Sequence, residues 1–460
     1  MLRHDPDYRP ESIPCGIFPM IIIIYSATQE DSIEESLGAP EYSYYFVLKE
    51  YRPILEKLGE VIVVDDPYTE VDPIYSAARS RGEYCVFLSF SPPDKTAYSL
   101  SCPTIPVFAW EFYNLPDEAW DGKPEHDWRF VLGKLGWAIT HSEFTVEAVK
   151  TDIRQDFPVM SIPAPVYDRF AGLAEQGMRS PEKGFDLEVD GIVFDSRGMD
   201  LEALSPENPD RPVIEFARQR QSLHLDGVVY TAILNPIDNR KNWPDILWTF
   251  GWAFREMADA TLIIKLTHTH APDALASMVY DMYKMSPMQC RIVLIEGYLP
   301  DSQYEHLALN TTYAVNAAKG EGQCLPLMEY MSCGSPAIAP QHSGVRDYIN
   351  KDTAFVIESS LEPSYWPHDP RVTLRTLCYR INFESMVDAL HDSYKMVKSS
   401  PRKYRKMAMA ASERLRMHCS AEVVEEALTL FLETHKRMQD PFSAHQPQAE
   451  SRPGPWWRRL

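Results

Sequence analysis

Two glutamates separated by seven residues, Glu321 and Glu329, punctuate the segment of this chain with the most chemical capability, Lys319-Gly-Glu-Gly-Gln-Cys-Leu-Pro-Leu-Met-Glu-Tyr-Met-Ser-Cys-Gly334. A strand at 313–317 runs into a glycine-flanked loop. A helix then opens near Leu325 with Pro326 in its first turn, and Gly334 ends it. Gly320 and Gly322 let backbone N–H groups around Gln323 and Cys324 approach a ligand closely, and the helix N-terminus at Leu325 favours an anion. Carboxylates accept paired hydroxyls, so one glutamate can hold a hexose and the other a ribose. Taken singly, either reads as an ordinary loop or helix charge.

Cations stand nearby in the pattern. Arg240 and Lys241 follow a strand at 228–233 and precede a helix. Fixed cations there can stabilise the charge that develops on a departing diphosphate. Lys265 closes the next strand, as a further cation or a solvated strand end. Glu111 lies at the end of a strand at 105–110, and His141 and Ser142 end the one after it, with Ser142 equally suited to cap a helix.

These residues need a frame that brings strand ends together. Two trains of strand and helix signals supply it. In the first, apolar runs at Met20–Ser26, 61–64, Tyr84–Phe90, 105–110, 137–140 and 159–162 alternate with helical patterns. One has Tyr44, Val47, Tyr51, Ile54, Leu55 and Leu58 on one face, Gly59 as a stop and a kink expected at Pro53. The second train runs through 228–233, 261–266, 291–295, 313–317, 336–339 and Ala354–Ile357, with a helix at 243–257, and turns wholly helical after 384. Continuous apolar strands alternating with helices mean parallel sheets covered on both faces. The expected division is a first domain over 1–167, an irregular insertion or linker over 168–226 with one strand-like piece at 191–194, a second domain over 227–438, and a disordered tail over 439–460.

The segment from Glu321 to Glu329, with Met331-Ser-Cys-Gly-Ser-Pro-Ala-Ile338 behind it, resembles the Glu-x7-Glu signature of group 1 (family 4 type) glycosyltransferases. The resemblance implies a GT-B fold, two Rossmann-like domains facing across a cleft with a helical C-terminal segment. It implies a donor nucleotide-diphosphate sugar on the second domain, with Glu321 on the sugar, Glu329 on the ribose and Arg240 and Lys241 near the diphosphate. The family's usual arginine after the strand is replaced by the Asn235-Pro236 turn, for which Arg240 can compensate. Glu111 stands roughly where many relatives carry a histidine near the reacting sugar. A carboxylate there could orient the acceptor or stabilise positive charge at the anomeric carbon. The family's usual work implies a retaining transfer to a glycan or glycolipid acceptor in polysaccharide synthesis. Two rivals share the frame: a sugar-nucleotide epimerase or hydrolase, and a non-catalytic subunit that binds nucleotide or a partner.

Other readings fall away. The only Asp-x-Asp, Asp5-Pro6-Asp7, is in the leader rather than after a strand, and His268-x-His270 lacks a third ligand, so no metal is expected. Gly320-x-Gly322 lacks the third glycine of a dinucleotide fingerprint, with Leu325 in its place, so no cofactor is expected either. A net charge of −21 over 460 residues disfavours a general nucleic-acid binder. The eight scattered cysteines form no Cys-x-x-Cys pair and read as reduced thiols. The longest apolar run, 17–27, is broken by Pro19 and follows an acidic leader, so neither a transmembrane span nor a signal peptide is expected and the location expected is the cytoplasm. Trp456-Trp-Arg-Arg459 offers at most a peripheral membrane contact.

Overall fold

The computed structural model describes residues 20–28, 37–38, 41–174, 184–367 and 369–439. Apart from Gln439, the tail expected to be disordered lies outside them.

The first domain contains β1 (Met20–Ser26), α1 (Ser43–Leu58), β2 (Glu60–Val63), α2 (Pro67–Ser80), β3 (Tyr84–Phe90), β4 (Thr104–Phe108), α3 (Trp128–Leu135), β5 (Ala138–Thr140), α4 (Glu143–Asp152) and β6 (Val159–Ser161). Its sheet is parallel in the order β2-β1-β3-β4-β5-β6. Four consecutive isoleucines, Ile21 to Ile24, are at most 2% exposed, because a central parallel strand is covered on both faces. α1 continues through Pro53 to Leu58, and Gly59 closes it by donating to Leu55 O at 3.0 Å.

Next come α5 (Tyr167–Ala174), β7 (Phe185–Asp195), β8 (Gln219–Leu225), β9 (Val228–Leu234), α6 (Trp243–Ala253), β10 (Ala260–Leu266), α7 (Pro272–Met285), β11 (Arg291–Glu296), α8 (Asp301–Asn310) and β12 (Tyr313–Val315). The chain ends with α9 (Leu325–Ser332), β13 (Ala337–Pro340), β14 (Ala354–Ile357), β15 (Ser359–Tyr365), β16 (Arg375–Ile381), α10 (Phe383–Ser399), α11 (Pro401–Cys419) and α12 (Ala421–Gln439). The second sheet has the order β14-β13-β12-β9-β10-β11-β7-β8. Its six parallel strands reverse direction of winding between β9 and β12, and ligands bind at such a switch point, outside the carboxyl ends of the strands.

Two expectations need correction. In place of an irregular insertion or linker, the described residues of 168–226 carry most of α5 and the antiparallel pair β7–β8, which extends the second sheet beyond β11. In β7, Phe185, Leu187 and Val189 are buried while Asp186, Glu188 and Asp190 are exposed, so outward charges disguise a half-buried strand. α6 stops at Ala253 rather than 257, where Phe254 leaves helical geometry. The two-stranded sheet β15–β16 fills the stretch between β14 and the terminal helices, to which the sequence assigns no element.

The last helix returns to the first domain. Trp137 packs edge-on against Phe431 and His435, and Tyr84 shares a 2.5 Å hydrogen bond with His435 Nδ1. α12, counted with the second domain by sequence, therefore clasps the first. Among the described residues, no helix is long and apolar enough to cross a membrane, and the seven described cysteines are unbridged.

Candidate active site

The turn after β9 and the loop after β12 meet at the switch point of the second sheet. A short 3-10 turn, Asn239–Lys241, is capped by Asp238, whose carboxylate accepts Arg240 N–H at 3.0 Å. The turn presents two adjacent cations to the loop. Lys241 Nζ donates to both Glu321 oxygens, at 2.9 and 2.7 Å. Arg240 Nη1 reaches Glu321 Oε2 at 3.3 Å and Gly320 O at 2.6 Å. Its Nη2 lies 2.9 Å from Asp238 Oδ2, and its Nε lies 3.0 Å from Glu111 Oε1, across the cleft on the first domain. Four of the sequence candidates thus form one network around the buried Glu321, joined by Asp238.

The network fixes its own charge states. Burial pushes the Glu321 carboxyl up, but Lys241, Arg240 and the hydrogen bonds of Lys241 and Asn316 outweigh it and hold Glu321 below its ordinary value. Burial opposes the charge of Arg240 and Lys241, yet Glu111 and Asp238 raise Arg240, and Glu321 raises Lys241. Glu111 is raised, because burial and the nearby carboxylates prevail over Arg240. Two cations thus serve three carboxylates. Glu111, held by a single arginine contact, is the one least firmly seated.

Gly320 and Gly322 stand where the loop approaches the first domain too closely for a side chain. A Cβ on Gly320 would fall 2.9 Å from Glu111 O, and one on Gly322 would fall 2.7 Å from Ala109 Cβ. Both glycines therefore let the loop touch the strand end of the first domain. Gln323 also bridges the cleft, accepting Ala164 N–H at 3.1 Å. Cys324, with φ of 61°, takes left-handed geometry at the cap of α9, and its sulfur accepts from Asn316 Nδ2 at 3.3 Å. Leu325 begins α9, as expected.

The remaining candidates lie apart. Glu329, on α9, belongs to a second group: Tyr304 of α8 donates to its Oε2. Burial raises Glu329 to about 7, opposed by that hydrogen bond. Lys265 is 4% exposed, donates to Leu266 O at 3.2 Å, and is pushed down to about 7 by burial, with Glu296 opposing. Ser142 caps α4 by accepting Thr145 N–H at 3.2 Å, while His141 is buried. His268 Nδ1 accepts His270 N–H at 3.0 Å, a contact local to their loop. A groove of about 330 Å³ lies elsewhere, between β14 and α10, and its acidic wall of Glu358, Glu384, Asp388 and Asp392 is unsuited to phosphate.

Several residues escaped the sequence reading. Asn316, at the end of β12, donates to Glu321 Oε1 at 3.1 Å. Ser343 Oγ accepts Glu321 N–H at 3.0 Å, and His342 beside it stacks on Tyr379 of β16 at 3.9 Å. Tyr379 in turn shares a 2.6 Å hydrogen bond with Tyr113 of the first domain. Asn316, one residue beyond an apolar strand, was open to discovery; Tyr379 lay in a hairpin with no signal. Asn235, standing near the place of the missing arginine, donates to Gly38 O at 3.1 Å and so ties the turn to the first domain.

No protein-family model matches this chain, and no curated protein matches it. Solved structures share its architecture. A glycosyltransferase from Rickettsia africae ESF-5 aligns with a TM-score of 0.52 at 13% identity, over 91% of this chain and 99% of that one. Anabaena HepE in complex with UDP and glucose aligns at 0.48 and 10% identity, over 90% and 100%. S. aureus TarM aligns at 0.46 and 12% identity over 75% of this chain, which spans 55% of TarM's length. Likeness at this identity concerns the fold, which is GT-B: two Rossmann-like domains and a helical C-terminal part.

Proposed function

We propose that this chain is a metal-independent glycosyltransferase that moves a sugar from a nucleotide-diphosphate donor to a glycan or glycolipid acceptor of polysaccharide synthesis, in the cytoplasm. The observation that carries the reading is the convergence of Arg240, Lys241 and Glu321 at the switch point of the second sheet, 3.0 Å from a first-domain carboxylate. The donor's diphosphate lies against Arg240 and Lys241, its sugar against Glu321 and its ribose against Glu329. Gly320, Gly322, Gln323, Cys324 and Leu325 supply backbone around it, and Lys265 is a more distant cation. In the transfer, the bond from the anomeric carbon to the diphosphate oxygen breaks and one to an acceptor hydroxyl oxygen forms. The hydroxyl proton leaves with the diphosphate or passes to a carboxylate, and Glu111 faces that acceptor. Retention of anomeric configuration belongs to the same proposal.

Saturation of Arg240 by protein acceptors favours a second reading, a non-catalytic GT-B subunit that binds nucleotide or a partner. Two measurements separate them. Thermal shift with UDP, GDP, ADP and their sugar conjugates should show stabilisation by one nucleotide that Lys241→Ala abolishes. Release of the nucleoside diphosphate should then rise on adding acceptor glycans. Stabilisation without release leaves the nucleotide-binding subunit, and no stabilisation by any nucleotide removes the transferase and leaves only a partner-binding subunit.

A further inference from the structure

Glu329 is held by a group that no part of the sequence pattern marks. α8 starts at Asp301, soon after β11, on the side of the sheet where its parallel strands end and ligands enter. Tyr304 lies in the first turn of this helix, and its hydroxyl donates to Glu329 Oε2. The ring is fixed on two sides: Phe170 of α5 meets it edge-on at 6.2 Å and Tyr330 of α9 at 6.0 Å. Burial keeps the phenol protonated, so it remains a donor throughout the physiological range. Among the described residues, Tyr304 is the hydrogen-bond partner of the Glu329 carboxylate, and Oε1 accepts none.

We propose that Tyr304 is a positioning residue for the donor nucleotide: by occupying one oxygen of Glu329 it turns the other toward a ribose hydroxyl, and makes binding depend on that hydroxyl. This rests on the nucleotide-sugar reading above. A carboxylate free to rotate would accept any nearby donor. One pinned at Oε2 by a ring locked between two helices has a single orientation to offer. The charged groups acting on Glu329 are Glu50 from α1, Arg169 from α5 and Asp301 from α8, and the neutral titratable groups beside it are Tyr330 on its own helix and Cys333 just past that helix's end. Arg169 is itself committed to Glu50, Asp301 and Glu305, so Tyr304 is the near partner that can tune this carboxyl.

The test is calorimetric titration of UDP, GDP and ADP, each beside its 2′-deoxy and 3′-deoxy forms, into the full chain and into Tyr304→Phe, with Glu329→Gln as second variant. Wild type should prefer the ribonucleotide by roughly tenfold or more. Tyr304→Phe should erase most of that preference by weakening the ribonucleotide alone, and adding it to Glu329→Gln should change nothing further. Because the tyrosine favours the ionised carboxyl, its loss should also move the pH dependence of ribonucleotide binding upward from about 7. Equal weakening of ribo and deoxy forms, or an undiminished preference in Tyr304→Phe, overturns the proposal while leaving the nucleotide reading intact. Failure of wild type to bind any of the nucleotides overturns both.

Discussion

Glu321 and Glu329 belong to one short segment, yet they live in opposite electrostatic worlds. Glu321 is 3% exposed and grasped by Lys241, Arg240 and Asn316, which hold its carboxyl below the usual range. Glu329 is partly buried, has a neutral phenol as its hydrogen-bond partner, and is raised to about 7. The same side chain is a fixed anion in one place and a titrating group in the other. What differs is the element across from it: a cation-bearing turn after β9 for Glu321, and the aromatic first turn of α8 for Glu329. Placement on a helix and placement in a loop matter less than the partner that faces the carboxyl.

The largest expected effect falls on the fixed anion. Glu321→Gln takes the carboxylate from Lys241 and one of three from Arg240, which should cost about 3–5 kcal/mol in urea unfolding and slow release of the nucleoside diphosphate by roughly a hundredfold or more. An equal cost from Glu329→Gln would break the comparison. Lys241→Ala comes next: removing one of two cations should weaken nucleotide binding by about tenfold to a hundredfold in titration calorimetry, with a smaller loss of stability.

The pH contrast sharpens the comparison further. Glu329 is raised in the folded state, so the native chain holds its proton more tightly than the unfolded one, and stability drains away as pH climbs from the ordinary glutamate range to about 7. Glu329→Gln should therefore gain on wild type by about 1–2 kcal/mol between pH 5 and pH 8, followed by denaturant melts. Glu321 is lowered, so its contribution is complete above the ordinary glutamate value and disappears as pH falls through its folded value. Glu321→Gln should show the reverse trend, losing least in acid. The smallest effect is expected from Cys324→Gly, which removes a left-handed non-glycine residue at the cap of α9 and should raise stability by at most about 1 kcal/mol. A loss instead would mean that the contact of Asn316 with the sulfur outweighs the backbone strain.

Periodic apolar runs carried most of the fold. Twelve strands of the two sheets coincide with runs visible in the chain, because buried parallel strands demand unbroken apolar sequence. Of β7 only the 191–194 end was visible, since the outward positions before it are acidic, and β15–β16 escaped because exposed residues such as Leu361, Tyr365 and Leu377 leave no clean alternation. In the site, Glu321, Arg240, Lys241 and Glu111 were legible as strand-end residues before they were seen in contact. Asn316 had only its place just past an apolar strand to mark it, and Ser343 had less, because a neutral hydrogen-bonding residue in a loop has no pattern to distinguish it.

By itself, the sequence determined the two-domain parallel architecture, the glycine-flanked loop before α9 and the identity of the charged residues that could meet there. Those depend on local periodicity and chain order, which a sequence contains in full. The tertiary structure decided which charges neutralise one another, that Gly320 and Gly322 face the first domain, and that Glu329 belongs with Tyr304 rather than with the cations. Those are distances between residues far apart in the chain, and a carboxylate's charge state follows from such distances rather than from its own position in the sequence.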